Sequence, residues 1–226
     1  MLKCILFDLD GTLVNSLTVT FNGFNHAFQK FGGKFHSPEE IMAHFGPGER
    51  EIFGKVLGDK YGEPARDAYF EYTRGRLHEA PLFPGISEIL DECRERGLKL
   101  GIVTGRGRES TQFILEHLGI SDRFGCILTH DDLSSSKPSP EGILRALEIL
   151  DEKPENAVYV GDMWMDIRAA RRAGCRALSA GWDIMHNIAL VEAEVPDAWF
   201  ATPSDFLSYL AAGMRGYSPK KGPIRL

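Results

Sequence analysis

Asp8 and Asp10 stand two residues apart at the close of the first apolar run, in Phe7-Asp8-Leu9-Asp10-Gly11-Thr12-Leu13-Val14. On an extended strand successive side chains alternate between faces, so both carboxylates would share a direction while Leu9 points away. Two like charges held this close repel, and one tends to stay protonated unless something compensates. The pair therefore implies a bound cation, or two carboxylates doing different proton work. Further chemistry-bearing residues follow later apolar runs: Thr104-Gly105 after the second, and Gly161-Asp162 after the fourth, with Asp166 one helical turn on. Lys137 precedes Pro138 in a loop before a helical segment. Taken singly, Thr104-Gly105 reads more readily as a plain turn and Lys137 as a solvated loop cation.

Those residues need strands to present them. The chain of 226 residues suggests one to two domains, and 43% hydrophobic against 26% charged residues allows a sizeable buried core. Six apolar runs read as strands: Cys4 to Leu9, Leu98 to Val103, Gly125 to Leu128, Ala157 to Val160, Ala177 to Ala180 and Ala198 to Phe200. Helical patterns alternate with them at Gly85 to Arg96, Glu109 to Leu118, Ser139 to Leu150 and Met165 to Ala173, and Thr202-Pro203 opens a last helix through Tyr209. Such alternation predicts an α/β fold, a Rossmann-like, mostly parallel sheet. Ligands in these sheets bind beyond the carboxyl ends of the strands, where the polar residues above fall.

One stretch breaks the alternation. From about residue 15 to residue 80 the patterns are helical, which predicts an inserted α-helical cap domain, with residues 1–14 and 81–226 forming the core. Leu17, Phe21, Phe24, Phe28 and Phe31 form a stripe at spacings of three and four, read as core packing. Ser37-Pro38-Glu39-Glu40 starts a second helix, Gly46-Pro47-Gly48 is a turn, and Pro64 opens a further helix toward His78.

Composition narrows the partners. With 26 basic against 32 acidic residues and a net charge of −6, no long basic run offers itself to nucleic acid or to an anionic membrane, so small substrates are expected. No apolar run is long enough to cross a bilayer, and no leader is recognisable at the amino terminus. Cys4, Cys93, Cys126 and Cys175 form no CxxC, so neither zinc nor a disulfide framework is indicated and a reducing cytoplasm is expected. The seven histidines form no metal-binding spacing.

Taken together and in this order, Asp8-Leu9-Asp10-Gly11-Thr12-Leu13, Val103-Thr104-Gly105, Lys137-Pro138 and Gly161-Asp162 to Asp166 resemble the four motifs of the haloacid dehalogenase-like superfamily. The likeness is to its phosphatases with a small helical cap, and the insertion falls where that family places one. The resemblance implies Mg²⁺-dependent hydrolysis of small phosphorylated metabolites through an aspartyl phosphate. Asp8 would be the nucleophile and Asp10 the acid and base. Mg²⁺ would be held by the side chains of Asp8 and Asp162 and the main-chain carbonyl of Asp10. Thr104, Gly105 and Lys137 would bind the phosphoryl group, with Lys137 also neutralising Asp8. The second aspartate favours phosphate esters over the haloacids of family members that lack it.

Asp166 reads as a holder of a metal water, as an orienter of Lys137, or as an ordinary capping residue. Gly11 is open between a structural and a functional role, Thr12 between a role and local backbone satisfaction, and Arg106 and Arg108 read more readily as solvated than as anion binders. Trp164 has no role derivable from sequence. In the cap, His44, Glu49 and Arg50 flank the Gly46-Pro47-Gly48 turn and are candidates to sort leaving groups. That turn resembles those of phosphoglycolate phosphatases and of some pyrophosphatases of the family. A phosphosugar mutase such as β-phosphoglucomutase shares the aspartate pair and cap and remains an alternative. A receiver-type signalling domain fits the motif order less well, and a non-catalytic binding protein would be expected to have lost one of the charged groups.

Overall fold

Short runs of three to five residues rich in Val, Ile, Leu and Ala, largely buried, pair into one parallel six-stranded sheet in a computed structural model that describes residues 1–183, 185 and 187–214. The strands are β1 (Cys4–Phe7), β2 (Lys99–Val103), β3 (Cys126–Leu128), β4 (Ala157–Gly161), β5 (Arg176–Ala180) and β6 (Ala198–Phe200). Their order, β3-β2-β1-β4-β5-β6, is that of a Rossmann sheet, and it reverses direction between β1 and β4. Cys4–Phe7 lies in register with Lys99–Ile102 on one side and with Ala157–Val160 on the other, so β1 is central. The basic pair Lys220-Lys221 lies outside the described residues.

Among the described residues, ten α-helices accompany the sheet: α1 (Leu17–Lys30), α2 (Pro38–Met42), α3 (Glu49–Leu57), α4 (Gly62–Arg74), α5 (Ile86–Glu95), α6 (Arg108–Leu118), α7 (Glu141–Ile149), α8 (Trp164–Ala173), α9 (Ile188–Ala193) and α10 (Pro203–Ala211). Alternate residues of β1 serve opposite layers. Ile5 and Phe7 join a core cluster with Ile89 and Leu90 of α5 and Phe206 of α10, while Cys4 and Leu6 join another with Ile143 of α7 and Ile167 of α8. Gly97, at φ +66° just after the end of α5, takes the left-handed conformation expected of a residue closing a helix.

The helices α1 to α4 are inserted between β1 and β2 and pack on one another through the predicted aromatic stripe. Phe24 is its centre, with ring centroids 4.8 Å from Tyr69 and 5.0 Å from Phe53. Leu17, Phe21, Phe24 and Phe28 are buried, as core packing requires, and Phe31 is partly buried at the edge. Two elements have no counterpart in the sequence reading. One is α3, whose N-cap Gly48 offers no side-chain cap and whose polar start, Glu49-Arg50-Glu51, hides the apolar Ile52, Phe53 and Val56. The other is the six-residue α9.

The first strand is shorter than its sequence suggests. The amides of Leu13 and Val14 both donate to the carbonyl of Leu9, and Gly11 donates to Val14, so the backbone from Leu9 to Val14 is spent on a tight turn. Asp8, whose amide still donates to the Val160 carbonyl of β4 at 2.9 Å, continues the strand, whereas Asp10 stands on the turn, so the alternation of an extended strand does not govern where Asp10 points.

Candidate active site

At the carboxyl edge of the central strands, Asp8 from β1, Asp162 from β4 and Asp166 from the first turn of α8 bring carboxylate oxygens within 4.8 Å of one another, all buried. Lys137, from the loop before α7, reaches into this group. Its Nζ lies 3.0 Å from Asp8 Oδ2 and 2.5 Å from Asp166 Oδ1, and donates to the Tyr159 hydroxyl at 3.1 Å. Tyr159 in turn donates to the Val103 carbonyl at 2.8 Å, fixing the far side of the ammonium. Burial alone would lower the ammonium's pKa, but Asp166 and Asp8 hold it well above the ordinary lysine value, so Lys137 is charged.

One ammonium does not balance three buried carboxylates. Burial, reinforced by the Asp166 and Asp10 charges, outweighs Lys137 and pushes Asp8 up to about 7. Burial and the charges of Asp166 and Asp8 likewise drive Asp162 well above the carboxylate range. Asp8 Oδ1 is buried with no hydrogen-bond partner. An unsatisfied carboxylate oxygen, an oxygen-only donor set and a local deficit of positive charge fit a hard divalent cation. Thr12 belongs to the same cluster: its hydroxyl donates to Asp162 Oδ1 at 3.1 Å. Gly11 combines both of its open roles, since at φ +73° it makes the turn and a Cβ there would fall 2.5 Å from Asp162 Oδ2.

Asp10 turns to different partners. Its carboxylate accepts a two-pronged pair from Arg106, Nε to Oδ2 at 2.9 Å and Nη2 to Oδ1 at 2.7 Å, and a short bond from the Ser16 hydroxyl. Burial would raise Asp10, yet the guanidinium and the hydroxyl hold it below the usual carboxylate range. Arg106 also donates to Tyr69 Oη at 2.9 Å and Thr20 Oγ1 at 2.7 Å, both in the helical insert. The expectation of a solvated Arg106 is thus corrected: it is buried where core and insert meet. Arg108 does stay exposed, paired with Asp132 at 2.7 Å.

Thr104 is buried at the end of β2, its hydroxyl accepting the Arg106 amide at 3.2 Å, and Gly105 follows it into the same cavity. That cavity, about 490 Å³, is lined by Asp8, Asp10, Thr104, Gly105, Lys137 and Asp162 at its floor and by residues of the insert above. All six residues singled out for catalysis, substrate and metal are therefore brought to one place. Of the three insert candidates, Glu49 lines the cavity, whereas Arg50 faces solvent and pairs with Glu63 at 2.7 Å. His44 lies outside the lining, its ring 6.5 Å from that of His36. Asp166 caps and orients at once, since Oδ1 holds Lys137 and Oδ2 accepts the Met163 amide at 2.9 Å. Sequence reasoning missed Tyr159 and Ser16. Tyr159 is the single polar side chain in Ala157–Gly161, a signal that was there to be read.

A buried ammonium set among carboxylates at the topological switch of a Rossmann sheet, under a helical insert, defines an α/β site for an anionic substrate and a hard cation. Comparison with known proteins makes this specific. Residues 5–180 match the family of haloacid dehalogenase-like hydrolases. The chain is similar to a phosphoglycolate phosphatase of Aquifex aeolicus, 33% identical over 214 residues that cover 92% of this chain and 97% of that protein. It is also similar to the pyrophosphatase PpaX of Bacillus cereus, 31% identical over 211 residues covering 93% and 97%. Among solved structures, that of a predicted phosphoglycolate phosphatase from Haemophilus somnus superposes with a TM-score of 0.80 at 26% identity, covering 92% of this chain and 98% of that one. The chain belongs to the haloacid dehalogenase-like hydrolase family.

Proposed function

We propose that the protein hydrolyses small-molecule phosphate monoesters, with Mg²⁺, through a phosphorylated Asp8. The observation that carries this reading is the Asp8–Lys137–Asp166 arrangement, in which a buried carboxylate with one unpartnered oxygen stands beside an ammonium fixed by other groups. Asp8, Asp162 and the main-chain carbonyl of Asp10 would hold Mg²⁺, which when bound offsets the charge of carboxylate and phosphoryl oxygens. Thr104 Oγ1, the Gly105 amide and Lys137 Nζ would orient the phosphoryl group in line with Asp8. An Asp8 oxygen then forms a bond to phosphorus as the ester bond breaks, and Asp10 gives its proton to the departing alcohol oxygen. In the second half, Asp10 takes a proton from water as the water oxygen bonds to phosphorus and the aspartyl–phosphorus bond breaks.

Asp10 cannot act while clamped by Arg106, so the acid step requires it to exchange the guanidinium for the leaving oxygen. Arg106 is itself held by Tyr69 and Thr20 of the insert. This supports residues 15–80 acting as a cap whose movement releases Asp10, over a core of residues 1–14 and 81–226. The four cysteines, unpaired and buried, support a reducing compartment, the cytoplasm, and among the described residues no helix is long and apolar enough to cross a membrane.

The similarity to the pyrophosphatase PpaX supports a second reading, cleavage of a phosphoanhydride at the same site. A panel of phosphorylated metabolites that includes pyrophosphate, assayed for inorganic phosphate with Mg²⁺ and with a chelator, tests both. Metal-dependent release from monoesters supports the first reading, and preference for pyrophosphate the second. Turnover that survives both the chelator and Asp8→Asn contradicts the two together.

A further inference from the structure

Trp164 lies between the two aspartates of the fourth motif, and the structure places it, with its neighbours Met163 and Met165, in the wall of the active-site cavity. All three are only half-buried. Met42 and Phe45 of the insert line the same cavity, as does Met185, so four of the chain's six methionines meet there. Methionine makes a soft, apolar wall that adapts to what it encloses. Met163 stands at the N-cap of α8, where serine, threonine, aspartate or asparagine is the usual choice, so the helix itself does not call for an apolar residue there. The indole of Trp164 is braced by the Arg168 guanidinium, 4.6 Å from the ring centroid.

The charges of the lining point the same way. Glu39 and Glu49 add to Asp8, Asp10 and Asp162, while the cations of the lining are Arg106, paired with Asp10, and Lys137, paired with Asp8 and Asp166. Among the described residues, and while Arg106 holds Asp10, a second anionic group on the substrate would meet carboxylates and no uncommitted cation. At about 490 Å³ the cavity falls within the ~300–1,000 Å³ of pockets that enclose drug-sized ligands, and a two-carbon group would leave most of it to water.

We propose that the leaving group this site selects is uncharged and apolar, the size of a medium alkyl chain or an aromatic ring, in preference to a short acid. The proposal rests on the monoesterase reading above. It is tested with the n-alkyl monophosphates from ethyl to hexyl, whose leaving groups differ in length but hardly in acidity, beside phosphoglycolate, all with Mg²⁺. The expected result is a rise in kcat/KM of about two- to fourfold per added methylene, the upper bound being what full burial of one methylene contributes. Hexyl phosphate should then exceed phosphoglycolate. In the double variant Met42→Ala/Trp164→Ala the hexyl-to-ethyl ratio should fall about tenfold, following from the apolar area removed. That ratio is internal to each preparation, so partial unfolding does not mimic the effect. A flat series, phosphoglycolate ahead of hexyl phosphate, or an unchanged ratio in the variant would overturn the proposal while leaving the hydrolase reading standing. Release from none of the esters removes both.

Discussion

Asp8, Asp162 and Asp166 share one ammonium, and the raised values of Asp8 and Asp162 set how the protein should respond to pH and metal. Asp8, raised to about 7, and Asp162, raised well above its ordinary value, both favour the protonated form in the fold. A carboxyl with a raised folded pKa contributes stability that is complete below its unfolded value of about 4 and is lost as pH climbs through the folded value. Asp10, lowered, acts oppositely, but its contribution is complete above about 4 and is lost only below that. Between about pH 4 and 7 the raised pair therefore dominates this cluster. The metal-free protein should lose thermal stability as pH rises across that window, and Mg²⁺ should restore more at pH 7.5 than at pH 5.5 because binding displaces protons. Melting curves with chelator and with Mg²⁺ check this. A Mg²⁺ effect equal at both pH values would contradict it. The convergence of Asp8, Asp10 and Asp162 was legible from residue type and order. The partnership of Asp10 was not, because Arg106 lies 96 positions away and its burial depends on Tyr69 and Thr20 of the insert.

At the level of elements, β4 and α8 form the rigid corner that sets Lys137. Gly161 ends β4, and a Cβ added there would lie 2.4 Å from both Cβ and Cγ of Asp166. These atoms are next to the backbone and held by the Lys137 and Met163 contacts, so they have little room to give. Gly161→Ala should cost about 1–3 kcal/mol through overpacking and also displace Asp166 from Lys137. The expected outcome is a lower urea midpoint together with a fall in kcat, whereas a stable variant with full activity would show that the corner is not needed. The six strands were readable because each is a short apolar run, and their ends agree within one residue except at β1, which stops two residues early. There the turn closed by Leu13 and Val14 amides on Leu9 takes over from the strand, and no periodicity in the sequence marks that change. The helix α3 was obscured for a related reason: Gly48 gives it no side-chain cap, and its polar first turn reads as a loop.

Across the molecule, insert and core are joined by polar ties beside the cavity. Glu49 of α3 accepts from Ser110 Oγ at 2.5 Å and from the Gly107 amide at 3.4 Å, so a residue of the insert is tied to the start of α6 in the core. Arg74 of α4 pairs with Glu109 of α6 at 2.8 Å, an exposed contact that adds little. Removing Glu49 should cost about 1 kcal/mol in lost hydrogen bonding and loosen the join between insert and core. Glu49→Ala is expected to raise amide exchange in α3 and at the start of α6 and to raise KM more than it lowers kcat. Exchange unchanged in both segments would show that the tie does not hold the insert. The motifs supply the charged floor of the cavity, while its apolar wall is assembled from α2, α8 and Met185, and only the fold brings these together. The central claim is that Asp8 becomes phosphorylated during turnover. Acid-quenching the Mg²⁺-loaded protein within the first turnover of a hydrolysed ester and mapping peptides by mass should show one phosphoryl group on the peptide containing Asp8, absent from Asp8→Asn, which should be inactive. Steady turnover with no phosphorylated peptide at the quench, with the label on another residue, or with Asp8→Asn still active would contradict the account.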